Sequence, residues 1–180
     1  TDILRFTNDG ESQQSKPVGS LSVTQLARDD ALFSYTLFGK SGTERMVPIS
    51  PLTCPGSGDS YTGIWYRGVD GLGGASVLVN DFTQTQIHYL YDDMGLPRWL
   101  YAQDLAGNDS SSFPILQFHG HCAVCTPAEV GFVEVGTLGR SFEGETSGSW
   151  TLDYMFDEPP SGLVNRTDQV VKITHRLDCQ

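Results

Sequence analysis

The sequence predicts an all-β chain, an antiparallel meander in which an eight-strand barrel-like unit is preceded by a four-strand partial repeat. Three observations carry this. Apolar and polar residues alternate with period two along almost every segment, and no long window shows a helical period. Turn residues recur at about ten-residue spacing, the rhythm of an up-and-down barrel or a sandwich. Two blocks of the chain also echo each other, motif by motif and in the same order.

Taken in order, the first strands are Leu21 to Gln25 and Leu32 to Phe38, then Gly39-Lys40-Ser41-Gly42 as a turn and Arg45 to Leu52. Gly63-Ile64-Trp65-Tyr66 and Ala75 to Phe82 follow. Gln86 to Tyr91 runs into the hairpin turn Asp92-Asp93-Met94-Gly95 and returns as Pro97 to Gln103. Phe113 to Phe118, Val130 to Phe142, Ser149 to Phe156 and Val170 to Leu177 complete the set. Asn8-Asp9-Gly10, Asp70-Gly71, Gly73-Gly74 and Gly107-Asn108-Asp109 supply the positive φ or side-chain-to-backbone bonds that tight turns need.

In the echo, Val18-Gly19-Ser20-Leu21 matches Val135-Gly136-Thr137-Leu138, and Phe33 to Leu37 matches Trp150 to Tyr154. Ser41-Gly42 and Ser161-Gly162 follow, then the closing strands Ile49 to Leu52 and Ile173 to Leu177, each with a cysteine two residues on. The blocks cover 17–54 and 134–179, and the stretch 61–122 between them has no second copy. Residues 1–54 therefore read as a four-strand partial repeat and 55–180 as the eight-strand unit, its strands spanning about 61 to 179. A four-strand half leaves two open edges, which invite pairing with another chain.

The composition narrows the partners. The chain has 180 residues, 38% of them apolar, with nine Phe, seven Tyr and three Trp, enough to bury a core. Its formal charge is −11, and its eleven basic residues are scattered, which excludes nucleic acid and disfavours an anionic membrane surface. No stretch approaches the roughly 20 apolar residues of a transmembrane helix, so no membrane span is expected. A cationic partner, a neutral glycan or a divalent cation is compatible with the charge, which also serves solubility. Thr1 in place of an initiator Met reads as a processed or truncated start, in keeping with export.

Cys54, Cys122, Cys125 and Cys179 form an even set in a Gly-, Ser- and Thr-rich chain, which reads as oxidised and so as secreted or cell-surface. Three pairings are open. The matching block ends favour Cys54–Cys179, leaving Cys122–Cys125 to close a small, strained ring. His119, His121, Cys122 and Cys125 are the densest set of metal ligands and would suit Zn²⁺ or copper. An oxidising compartment removes the thiolates, so the disulfide loop is preferred to the metal site. The loops Asp9-Gly10-Glu11 and Asp104 to Asp109 admit Ca²⁺ but lack EF-hand spacing. No cofactor is expected, with Ca²⁺ and Zn²⁺ left open as ions.

No catalytic motif is present. There is no G-x-S-x-G elbow, and a thioredoxin-like Cys-x-x-Cys needs a helix start that the pattern after Cys122 does not supply. Asp92/Asp93 and Asp157/Glu158 sit in turns, whereas a general acid needs a desolvated carboxyl. Tyr89, Tyr91, Trp99 and Tyr101 read first as cross-strand core pairs, with an exposed aromatic surface for sugars as the functional alternative.

Gly63-Ile64-Trp65-Tyr66, the Gly-rich turn Asp70 to Gly74, and Tyr89 to Leu100 with its Pro97-Arg98-Trp99 hairpin together resemble a poorly characterised domain of bacterial exported proteins. In that domain a Gly-x-Trp-Tyr strand precedes Tyr-x-Tyr-Asp-x-x-Gly-x-Pro-x-Trp and then a Val-Gly-Thr-Leu block, and the resemblance covers about 61–179. The opening strand is also similar to that of avidin-like and lipocalin-like barrels, which implies that Trp65 plugs one barrel end. Neither resemblance brings a chemistry with it.

The expected function is an extracellular, non-enzymatic structural or adhesive module that binds other protein subunits or surface components, self-assembling as a homo-oligomer through its open edges. A ligand-binding β-barrel for a small apolar molecule or glycan is the second reading. A metal- or thiol-dependent enzyme built on His119 to Cys125 is the third. Intact mass with and without reductant, combined with metal analysis, separates them. A chain four hydrogens lighter before reduction and free of metal is the expected result; free thiols with stoichiometric zinc or copper would point to the third reading.

Overall fold

A computed structural model describes residues 1–8, 12–27, 30–47, 61–67, 73–79, 83–105, 112–120 and 129–174. All four cysteines and His121 lie outside the described residues, as do the 9–11 and 106–111 loops. The chain is all-β, with no helix among the described residues. It divides into two compact units, Thr1–Thr53 with Gly120–Val130 and Cys54–His119 with Gly131–Gln180.

The first unit holds a four-stranded antiparallel sheet in the order β1-β2-β3-β4, formed by Asp2–Asn8, Gln13–Ala27, Asp30–Leu37 and Lys40–Met46. Two of these strands correct the sequence reading. β1 has no counterpart among the expected strands. The β3–β4 turn is Phe38-Gly39, both at positive φ, so β4 begins at Lys40, and Ser41-Gly42 is strand rather than turn. Two successive left-handed residues match the twist of a tight hairpin, and that chemistry decides the register. Arg45 reaches across the sheet end to Asp30, its Nε donating to the carboxylate at 2.8 Å.

The second unit is a closed eight-stranded barrel. Its strands are β5 Gly63–Tyr66, β6 Gly74–Val79, β7 Thr83–Tyr91, β8 Pro97–Leu105, β9 Ser112–His119, β10 Gly131–Phe142, β11 Ser147–Tyr154 and β12 Val164–Lys172. Each pairs antiparallel with the next, and β12 returns to β5 through Val171↔Tyr66 and Lys172↔Trp65. Ile173 N–H to Ile64 O and Ile64 N–H to Thr174 Oγ1, both 2.9 Å, extend that seam. The last strand thus spans Val164–Lys172, beginning before the expected Val170, and residues 175–177 of that expectation lie outside the described residues.

Inward side chains fill the barrel. Trp65, Leu100, Ile115, Leu138, Trp150 and Leu152 are fully buried, as are the small Ala75 and Ala102. Towards one end Tyr61 stacks on Phe142 at 4.1 Å, Phe142 meets Trp65 at 5.0 Å, and the Trp65 indole N–H donates to Tyr61 O at 2.8 Å. The connection from β11 to β12 is pinned by Gln117, which donates to Glu158 O and accepts from the Asp157 N–H.

The two units share hairpin registers. In the sheet Gly19 faces Leu37, Leu21 faces Tyr35 and Val23 faces Phe33. In the barrel Gly136 faces Tyr154, Leu138 faces Leu152 and Arg140 faces Trp150. A bulge precedes Gly19 opposite Ile3/Leu4, and another precedes Gly136 opposite Ile115/Leu116. At both bulges glycine is obligatory for the same reason. A Cβ on Gly19 would lie 1.8 Å from Thr36 O, and one on Gly136 would lie 1.9 Å from Asp153 O.

Gly136→Ala should therefore lower stability by about 2–4 kcal/mol, because backbone must move. Gly144→Ala, in an open turn at φ 89°, should cost only about 1 kcal/mol. Urea midpoints of the two variants test the difference, and equal losses would contradict it.

Candidate functional site

The β7–β8 hairpin is built by its own turn. Asp92 Oδ1 accepts the N–H groups of Met94 and Leu96, both at 2.9 Å, and its Oδ2 takes the Arg98 guanidinium at 2.8 Å. Gly95 supplies the left-handed turn residue at φ 70°. Burial pushes the Asp92 carboxyl up, but the Leu96 N–H, the Arg98 guanidinium and the Met94 N–H outweigh it and hold it below the usual carboxylate range. The motif Asp92-x-x-Gly95-x-Pro97-Arg98-Trp99 is thus a hairpin-forming device. Its consequence is register: Tyr89 stands directly opposite Trp99.

Both rings point away from the barrel core. Tyr89 is 49% and Trp99 48% exposed on the outer wall. The row continues around the barrel. Trp99 stacks on Phe118 at 5.5 Å and 21°, Tyr101 meets Phe118 edge-on at 5.7 Å, and Phe118 packs on Phe132, which is 61% exposed. Four adjacent strands, β7 to β10, therefore carry one continuous aromatic ladder. Two neutral hydrogen bonds flank it: the Ser76 and Tyr89 hydroxyls share one at 3.1 Å, and the Tyr101 hydroxyl bonds to Gln103. Tyr91 lies at the turn end of β7, half-buried opposite Pro97. The sequence pointed to Tyr89, Tyr91, Trp99 and Tyr101; Phe118 and Phe132 were missed, although each sits in a strand whose alternation was legible.

The barrel interior is more polar than its strands suggest. Gln86, His88 and Trp150 are almost fully buried, yet both amide atoms of Gln86, His88 Nε2, the Trp150 indole N–H and Arg166 Nη2 have no hydrogen-bond partner among the described residues. β7 and β11 lie on opposite sides of the ring of strands, and His88 and Trp150 still meet edge-on at 5.0 Å between ring centres. These two side chains fill the barrel axis. Beside them Asp168 accepts from Arg67 Nε at 2.8 Å and Arg166 Nε at 3.0 Å, an ion triad closed off from most solvent. Burial, and secondarily the Arg166 charge, push His88 down to about 3.

The ligand set His119, His121, Cys122 and Cys125 cannot be assembled here, because only His119 lies among the described residues, exposed at the end of β9. The proposed Cys54–Cys179 and Cys122–Cys125 pairings likewise lie outside them. Among the described residues no cluster of three or more His, Cys, Asp or Glu could hold a metal ion, and no helix is long and apolar enough to cross a membrane. In comparison with known proteins, no family model, no curated protein and no solved structure matches the chain.

His88 makes the fold sensitive to acid in a defined direction. Between its ordinary value of 6.5 and about 3, the unfolded chain binds a proton that the folded chain does not. Its contribution is therefore intact above the ordinary value and is lost as pH falls through this window. Replacing His88 with Asn should flatten the pH dependence of unfolding between pH 4 and 6 by one proton, about 1.4 kcal/mol per pH unit. An unchanged slope in urea titrations would place the imidazole's proton affinity near that of a free histidine.

Proposed function

We propose that the chain is a non-enzymatic extracellular binding module that attaches to neutral glycans of a surface through the aromatic ladder Tyr89–Trp99–Phe118–Phe132. The single observation behind this reading is three half-exposed or more exposed rings held in register on one wall of a rigid barrel. Large apolar rings are normally spent on the core, and a contiguous exposed row of them marks a contact surface. Rings fixed by strand pairing lose little conformational entropy on binding, which favours them as anchors. The C–H faces of sugar rings pack on such platforms, while hydroxyl and amide neighbours serve the sugar oxygens. The net charge of −11 disfavours an anionic ligand and leaves a neutral one open. The extracellular setting rests on the even cysteine count and the low charged fraction.

The ligand-barrel reading has less support. His88 and Trp150 meet on the axis, where an apolar guest would have to sit.

A panel of neutral oligosaccharides screened by isothermal calorimetry tests the proposal. Trp99→Ala should weaken the best ligand at least tenfold and shift the unfolding temperature by no more than a few degrees, because the ring is half in solvent. Binding that survives a Trp99→Ala/Phe132→Ala double variant, or no binding at millimolar concentration, would count against it.

A further inference from the structure

The four-stranded sheet matches one half of the barrel strand for strand. β1 and β2 pair as β9 and β10 do: Ile3↔Gly19, a bulge, then Leu4↔Pro17 and Phe6↔Ser15, against Ile115↔Gly136, a bulge, then Leu116↔Glu134 and Phe118↔Phe132. β3 and β4 pair as β11 and β12 do, with Phe33↔Glu44 and Leu37↔Lys40 against Trp150↔Asp168 and Tyr154↔Val164. Individual bonds correspond as well. Phe38 N–H donates to Val18 O at 2.9 Å, and Met155 N–H donates to Val135 O at 3.0 Å. The hydroxyls of Thr43 and Ser34 pair where those of Thr167 and Thr151 do. Agreement in register, bulge, obligatory glycine and side-chain bonds is far more than two unrelated four-strand sheets would share.

What differs is the covering. In the barrel, β9 is paired on its outer edge by β8 and β12 by β5. In the sheet, the corresponding strands β1 and β4 are the end strands, each with one strand partner among the described residues. The inward face differs accordingly. Leu138, Trp150, Leu152 and Val170 are fully buried, whereas the corresponding Leu21, Phe33 and Tyr35 are half-buried and Met46 is 46% exposed. Val23, at the position of Arg140, is 54% exposed. A core-type apolar face and two strand edges without a partner among the described residues are what the barrel's own half would show if β5–β8 were taken away.

We propose that β1–β4 is a half-barrel that binds a four-stranded antiparallel segment of the β5–β8 type, contributed from outside these 180 residues, and closes with it into a second eight-stranded barrel. The source follows from counting halves. The described residues hold two halves of the β9–β12 kind and one of the β5–β8 kind, and that one is already engaged in the barrel. The longest undescribed stretch, 48–60, is far shorter than Gly63–Leu105. A second copy of these residues would bring the same surplus. The occupant's chemistry follows from the same correspondence: a first strand of the Gly-x-Trp-Tyr kind seated against β4, and a last strand seated against β1. This inference is independent of the glycan reading, since it uses a different surface and a different unit.

The three methionines provide the test. Met46 lies on the open face, while Met94 and Met155 are exposed in barrel connections. In the 180-residue chain, held dilute enough that light scattering reports monomer, peroxide should oxidise Met46 about as fast as Met155. Edge amides of β1 and β4 should exchange at least 100-fold faster than those of β9 and β12. In a tandem variant with residues 61–111 duplicated ahead of Thr1 on a Gly/Ser linker, Met46 oxidation should slow at least tenfold, with Met94 and Met155 unchanged and the β1 and β4 amides protected. If that chain does not fold, a variant carrying the duplicate after Gln180 on a longer linker repeats the measurement. Three results overturn the proposal: Met46 unprotected in a folded tandem chain, Met46 and both edges already protected in the monomer, or protection that grows with concentration as a dimer of the unmodified chain forms. The last would make a second copy the occupant.

Discussion

Barrel closure between β12 and β5 is the constraint on which the rest of the second unit depends. Eight antiparallel strands laid side by side would expose an apolar face and leave two edges. Closing the ring removes both problems at once. The seam that does this is short, two residue pairs extended by two further hydrogen bonds, and Trp65 sits directly in it. Its indole is fully buried and reaches Phe142 and Trp150, so the strand with the fewest ladder bonds carries the largest side chain into the core. Packing of one indole thus compensates for a seam that has little backbone pairing to offer.

The same logic explains why the outer wall can carry an aromatic ladder. Once the interior is filled and the ring is closed, strand pairing alone fixes where outward side chains stand. The Asp92 carboxylate, held by two backbone N–H groups and a guanidinium, sets the β7–β8 register, and that register places Tyr89 across from Trp99. Strand pairing thus orders the wall, and its outer rings stand half in solvent or more. The first unit shows the opposite condition. Its sheet has the register of a barrel half, but a face that in the barrel is sealed lies half open.

Much of the architecture was legible because two-residue alternation and turn chemistry are local signals. The Asp92–Gly95 turn was readable from the short-range bonds it makes, and the Val-Gly-Ser/Thr-Leu echo from residues that a bulge requires. The misses have physical reasons as well. β1 was passed over, although Ile3-Leu4-Arg5-Phe6 mirrors Ile115-Leu116-Gln117-Phe118. Its near relation to β9 is carried by pairing with β2, which lies outside any local window. Ser41-Gly42 resembled a turn, but the two-residue Phe38-Gly39 hairpin left it inside β4.

By itself the sequence determined the fold class, the strand rhythm and the turns, because each depends on residues close together in the chain. Only the tertiary structure decided which face of each strand is inside. β7 shows why: Tyr89 and Tyr91 read first as core residues, yet Gln86 and His88 point inward and Tyr89 points out. Both faces of that strand are apolar enough to be buried, so alternation alone cannot choose between them, and a shift of one residue exchanges every side chain. The choice was made by distant partners. Trp150, four strands away around the ring, meets His88 on the axis, and Trp99 meets Tyr89 on the wall.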